Sequence, residues 1–196
     1  AKDHPYDPAD GYPRLVVDDP LEALQQLGKY YLNKINPVVV AVTGSNGKTT
    51  TKDMVASILA TQMNVIKTYA NFNNEIGVPV TLLNMEANTE AVVVEMGMDR
   101  FGQLDLLSRL TTPDIAVVTM IGEAHIEFFG SRDKIADAKM EITHGLAEDG
   151  TFVYDGDEPL LRERAAKLSQ QTKTFGRQLD DDLYATSVNP DVDHVS

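Results

Sequence analysis

The chain has 196 residues, 42% of them hydrophobic, which suits one domain with a substantial core. Its 30 acidic residues against 17 Lys and Arg leave a net charge of -13, so non-specific binding to nucleic acid or to an anionic membrane is disfavoured. The lack of cysteine excludes disulfides and thiolate metal sites.

No apolar run approaches the ~20 residues of a membrane span, and no signal peptide is recognisable. Membrane insertion is therefore not expected, and the cytoplasm is the expected compartment. Residues 1–20 carry Pro5, Pro8, Pro13 and Pro20 with Asp and Gly between them. They read as a linker with at most one short strand, at 15–17. Asp19 is placed to cap a helix with Pro20 at its first position and Glu22 in its first turn. Leu21, Leu24, Leu27 and Tyr31 share one face of that helix.

From Pro37 onward the pattern predicts strands at 38–43, 64–67, 91–95, 114–119, 151–154 and 172–175, and one more at 183–188. Helices are expected near 49–62, 76–84, 102–110, 131–147 and 158–168. In the first of these, Met54, Val55, Ile58 and Leu59 offer an apolar face to a sheet. Val92-Val93-Val94 and Ile115-Ala116-Val117-Val118 are apolar throughout rather than alternating, as in strands buried on both faces. The expected fold is α/β, doubly wound, with a largely parallel sheet. Residues 21–188 would form it, with 189–196 as a polar tail.

The first strand runs into Gly44-Ser45-Asn46-Gly47-Lys48-Thr49-Thr50. Strand, glycine-bracketed loop, Lys-Thr and helix form the order of a phosphate loop. Backbone N–H groups at the helix start and one lysine suit the phosphates of ATP or GTP. The loop is shorter than the usual G-x-x-x-x-G-K-[ST], because Val42 stands where the first glycine would be. The competing reading is a glycine-rich turn that merely ends a buried strand.

In such sheets ligands bind outside the carboxyl ends of the strands. By strand polarity, that edge gathers the phosphate loop, Glu95 at the end of its strand, and His125 in the loop after 114–119. A hydroxyl, a carboxylate and an imidazole there suit Mg²⁺ held between protein and phosphates. Each has an ordinary alternative: Glu95 as a strand-end carboxylate facing water, His125 as a surface residue, Lys139 as a solvated helix residue. Asn71, Asn73 and Asn74 could be turn formers, and Pro79 an early-helix residue.

Four stretches change that balance: 43–51; Asn71-Phe72-Asn73-Asn74-Glu75-Ile76-Gly77-Val78-Pro79; Glu95-Met96-Gly97-Met98; and Ile121-Gly122-Glu123-Ala124-His125 through Ala138-Lys139. Together, over roughly residues 15 to 188, they resemble the central ATP-binding domain of the Mur ligase family. The asparagine segment and the Glu-Met-Gly-Met strand end resemble the members that add D-alanyl-D-alanine to UDP-N-acetylmuramoyl tripeptide. The resemblance implies an ATP-dependent amide ligase of peptidoglycan precursor synthesis, working through an acyl phosphate in a bacterial cytoplasm, as a monomer. It implies that Gly44, Ser45, Asn46, Gly47, Lys48, Thr49 and Thr50 cradle ATP, with Lys48 on the β- and γ-phosphates. Thr49 and Glu95 would hold one Mg²⁺. His125 and Lys139 would support a second, Lys139 as its N-carboxylated form. Asn73 and Asn74 would lie near the transferred phosphate and the acceptor. The family's C-terminal domain is expected to be absent and residues 1–20 to be the exit from its N-terminal domain, so the isolated chain is not expected to complete ligation. Other readings are another Mur ligase, a folylpolyglutamate synthase-like ligase, an NTPase using water as acceptor, and a nucleotide-binding module without turnover.

Overall fold

A computed structural model describes residues 15–123 and 126–187. The expected linker before residue 15, His125 and the tail after 187 lie outside the described residues. Helix α1 (Pro20–Ile35) starts where Asp19 accepts from the N–H groups of Leu21 and Glu22 and ends at Asn36, whose left-handed φ of 55° closes the last turn. The strand expected at 15–17 is not formed; those residues are irregular and Leu15 and Val16 are exposed. With no neighbouring strand among the described residues, their backbone has no ladder there to join.

Strands β1 (Val38–Thr43), β2 (Val65–Lys67), β3 (Ala91–Glu95), β4 (Ile115–Val118), β5 (Thr151–Asp155), β6 (Gln171–Gly176) and β7 (Leu183–Tyr184) form one sheet in the order β2-β3-β1-β4-β5-β6-β7. Every pairing is parallel. Between them run α2 (Lys48–Leu59), α3 (Gly77–Leu83), α4 (Gln103–Thr111), α5 (Ile126–Phe129), α6 (Arg132–Met140) and α7 (Pro159–Ala165). The doubly wound reading is correct, and β1 sits between β3 and β4, the strands before and after the crossover. The described part of the last expected strand is only two residues long.

Alternate residues of the central strands serve opposite faces. Val39, Ala41, Val92, Val94, Ala116, Val118 and Phe152 join the large core, with Leu82, Leu104, Leu107, Ile135 and Leu161 from the helices. Val40, Val42, Val93 and Val117 form a smaller core with Ala56 of α2. On α2 the sequence expectation is half right. Val55 and Leu59 pack on that core, but Met54 and Ile58 are 60% and 67% exposed. The inward row is Lys52, Val55, Ala56 and Leu59, at the i, i+3, i+4, i+7 spacing of one helix face.

The single helix expected at 131–147 is interrupted. After Met140 the chain tightens into a 3-10 turn, Glu141–Gly145. The reason lies in α4: the Glu141 carboxylate accepts from Gly102 N at 2.8 Å and Asp105 N at 3.2 Å. It thereby satisfies N–H groups at a helix start that has no cap of its own. Ser108 Oγ donates to Ile142 O and accepts from Gly145 N. A Cβ on Gly145 would come within 2.2 Å of Ser108 O, so the turn lies directly against α4.

Phe152 is fully buried and stacks on Tyr154 with ring centroids 5.1 Å apart. Phe152→Ala should cost about 3–5 kcal/mol through lost burial and the cavity left behind, read as a lower urea midpoint at unchanged slope. A loss below about 1 kcal/mol would mean that the central layer collapses onto the gap.

Candidate functional site

The loop between β1 and α2 is pinned on both sides. Thr43 Oγ1 donates to Met96 O at 2.8 Å, and Ser45 N donates to Met120 O at 3.0 Å. Gly122 N donates to Ser45 Oγ at 2.8 Å, and Thr119 Oγ1 donates to Asn46 O at 2.5 Å. A Cβ at Gly44 would collide with Thr119 Oγ1, and Gly47 has φ 80°. Both positions therefore need glycine. No side chain caps the start of α2, so the N–H groups of its first turn are left for an anion, with the helix dipole behind them. Lys48 lies against Gly44 O and Ser45 O at 2.9 and 3.4 Å. Burial lowers its pKa, and the charge of Glu95 partly opposes that shift.

Glu95 is 2% exposed and does not face water. Its Oε2 accepts from Thr49 Oγ1 and its Oε1 from Asn73 Nδ2, both at 2.8 Å. The structure therefore brings Lys48, Thr49, Glu95 and Asn73 together at the ends of β1 and β3. Gly97 N donates to Asn73 O at 2.7 Å, and a Cβ at Gly97 would meet Asn73 Oδ1 at 2.8 Å. Asn74 caps α3, its Oδ1 accepting from Ile76 N and Gly77 N. It also lines, with Lys48, Asn73, Asp99 and Gln103, an open cavity of about 300 Å³ beside the loop.

A hydroxyl and a carboxylate in contact, next to a phosphate cradle, fit Mg²⁺, which keeps phosphate oxygens and water among its ligands. Among the described residues no three His, Cys, Asp or Glu side chains cluster as a metal cage. The described residues would therefore supply a small share of the ligands, with phosphate oxygens and water supplying the rest.

Lys139, near the end of α6, is 3% exposed rather than solvated. Burial, reinforced by the charge of Lys48, lowers its pKa to about 7. Helix α6 is held by arginines. Arg164 of α7 bonds Asp137 at 2.8 Å and Asp133 at 3.0 Å, and Arg132 bonds Glu158 at 2.5 Å and Ile121 O at 3.0 Å.

Sequence reasoning passed over Lys52, which is buried behind Glu95, and Thr68, which lies between them. The usable signal was a second lysine one turn after Lys48, on the inward row of α2. It also missed Thr119, whose hydroxyl braces the loop.

A family model for the Mur ligase middle domain matches residues 42–196. The UDP-N-acetylmuramoyl-tripeptide–D-alanyl-D-alanine ligase of Bacillus subtilis (strain 168) is 53% identical over 182 residues, 93% of this chain. The chain spans 39% of that relative's length. A crystal structure of MurF from Acinetobacter baumannii superposes with a TM-score of 0.84 at 37% identity, over 89% of this chain and 39% of that one. The MurF ligase from Thermotoga maritima, in complex with ADP, does so with a TM-score of 0.78 at 36% identity, over 84% and 38%. The short phosphate loop and the carboxylate at the end of β3 thus stand in a chain that these matches cover nearly from end to end, and it belongs to the Mur ligase middle-domain family.

Proposed function

We propose that the protein is an ATP-dependent amide ligase joining D-alanyl-D-alanine to UDP-N-acetylmuramoyl tripeptide, with residues 21–188 as its nucleotide-binding part. The observation that carries this reading is the contact of Thr49 and Asn73 with the two oxygens of buried Glu95, at the foot of an uncapped helix start. The names of the relatives supply the substrates, and the ADP complex of one of them supports the nucleotide.

In this reaction the terminal carboxylate of the tripeptide attacks the γ-phosphorus of ATP. The bond to the β–γ bridging oxygen breaks, and ADP leaves with the electron pair. The amine of the dipeptide then attacks the acyl phosphate carbon, loses a proton, and phosphate departs. A carboxylate must approach a polyanion, so fixed positive charge and fixed geometry are the main needs. Gly44, Ser45, Asn46, Gly47 and Thr50 shape the cradle, and Lys48 holds the β- and γ-phosphates. Asn73 and Asn74 face the cavity where the tripeptide end and the transferred phosphoryl group would meet. Thr49 and Glu95 would hold one Mg²⁺, and Lys139, as the N-carboxylate, would support a second with His125; these ions neutralise phosphate charge when bound.

The Lys139 assignment has a physical basis. Only a neutral amine adds CO2, and a buried lysine with a pKa of about 7 supplies one at neutral pH. Among the described residues no carboxylate pairs with it, and Lys48 pushes its pKa the same way as burial. The protein would act as a monomer in the bacterial cytoplasm; among the described residues no helix is long and apolar enough to cross a membrane.

The test is phosphate release by the full-length protein with ATP and Mg²⁺, with and without each acceptor. Release that needs both tripeptide and dipeptide, with the pentapeptide product seen by mass, is expected. Release needing neither would make the protein an NTPase, and nucleotide affinity without turnover a binding module.

Lys48→Ala should abolish turnover, and near-normal rates would sink the phosphate-loop assignment. Lys139→Ala should cripple ligation, with partial rescue by added short carboxylates; unchanged activity would remove Lys139 from the machinery. Stability gives an independent reading of the same lysine. Its folded pKa of about 7 lies below the unfolded value of about 10.4. Between those values the unfolded chain binds the extra proton, so this group makes stability rise with pH across that window. Below pH 7 the cost of burying the charge is present in full, and in CO2-free buffer Lys139→Met should raise Tm there, while in the assay it abolishes ligation. A lower Tm below pH 7 would mean that the ammonium is well solvated or paired.

A further inference from the structure

Lys52, on the inward row of α2, is 2% exposed. Its ammonium donates to Thr68 O at 3.0 Å and stands 3.9 Å from Glu95 Oε2. It also lies 3.4 Å from Asp53 Oδ1, but that carboxylate is half exposed and held by Lys67 at 2.7 Å. Glu95 is thus the buried anion that Lys52 faces. Thr68, fully buried just after β2, closes the arrangement: its carbonyl takes the lysine and its hydroxyl accepts from Glu95 N at 2.9 Å.

We propose that Lys52 is a positioning residue of the metal–nucleotide site, the fixed counter-charge that holds Glu95 aimed at the phosphate loop. The proposal rests on the reading of Glu95 as a ligand of the cation. A carboxylate 2% exposed is costly without a compensating charge. Thr49 and Asn73 give it hydrogen bonds, but both are neutral. Lys48 also feels the charge of Glu95, but its ammonium is bonded to the loop carbonyls. Lys52 is itself buried and its ammonium is bonded to Thr68 O, so it supplies charge to Glu95 without taking a hydrogen-bonding position on the carboxylate. At 3.9 Å its contact with the carboxylate is electrostatic, while its hydrogen bond goes to Thr68. The lysine therefore stays in place when a cation joins the carboxylate. The competing role is purely structural, a long side chain filling space under β2 and tying Thr68 to α2.

Thermal unfolding of the full-length protein separates the two. Wild type, Lys52→Gln, Glu95→Gln and the double variant are compared in EDTA and again with Mg²⁺ and ADP. Lys52→Gln keeps a polar donor, one bond shorter than the lysine, and removes the charge; comparing it with and without Glu95→Gln cancels the difference in reach. The expected result is a lower metal-free Tm for Lys52→Gln, with a loss roughly half or less as large when Glu95 is already Gln. Mg²⁺ and ADP should raise the Tm of Lys52→Gln by more than that of wild type, because the cation replaces the missing charge. Equal losses in the two backgrounds, or equal gains on adding Mg²⁺ and ADP, would overturn the proposal and leave Lys52 structural. If Lys52→Gln alone does not fold, folding of the double variant supports the proposal and its failure to fold overturns it. A wild type that gains nothing from Mg²⁺ and ADP rejects the nucleotide reading, and the proposal with it. A wild type that gains while Lys52→Gln gains no more rejects the proposal alone.

Discussion

A buried carboxylate at the end of a buried strand is the constraint on which the rest of this structure turns. Glu95 cannot be left to water, so each neighbouring element supplies something to it. Helix α2 brings the Thr49 hydroxyl and the Lys52 ammonium, the segment before α3 brings the Asn73 amide, and the end of β2 brings the Thr68 hydroxyl to its backbone. Those contacts fix where α2 begins relative to β3, and hence where the phosphate cradle opens. The glycines of the loop answer a second need, close approach to Thr119 at the end of β4. The site is therefore a junction of four strand ends, those of β1, β2, β3 and β4, and its geometry is set by the sheet rather than by the loop alone.

The sheet is unequally covered. The face bearing Val39, Ala41 and Phe152 carries the larger core and most of the helices, while the other is covered chiefly by α2. Beside α2 an apolar groove of about 830 Å³ runs over Val117, Val153 and Phe175, with Met54 and Ile58 along it. The more heavily packed side of the molecule is thus the one that carries α4 and α6. Lys139 stands at the end of α6, buried against that larger core, and its low pKa follows from this placement together with the charge of Lys48.

Much of this was legible in the sequence because the signals are backbone-scale. Continuous valine runs mark strands buried on both faces, and Gly44, Gly47 and Lys48 mark a turn that few other structures need. The order of strands and helices follows from that alternation. What could not be read were relations between distant side chains. Nothing in 131–147 says that Glu141 must cap α4, and that long-range demand converts the expected helix into a 3-10 turn. Met54 and Ile58 have the composition of a core face, yet α2 turns Lys52, Val55, Ala56 and Leu59 inward instead, and the lysine in that row is one an apolar count ignores. Lys139 and Glu95 look like ordinary charged residues until burial is known. The asparagine segment was informative as a motif, but its division of labour, Asn73 on the carboxylate and Asn74 on a helix end, appears only in three dimensions.

The arginine clamps on α6 carry one more consequence. Arg164 reaches Asp133 and Asp137, both more than half exposed, and Arg132 is itself nearly half exposed. Contacts of this kind weaken as dissolved ions screen them, with a Debye length of about 8 Å at physiological ionic strength and about 3 Å at 1 M. Strand β1 and Glu95 lie too deep for such screening to reach. Salt therefore acts on the two sides of the site unequally. It loosens the helix that carries Lys139 before it disturbs the loop between β1 and α2.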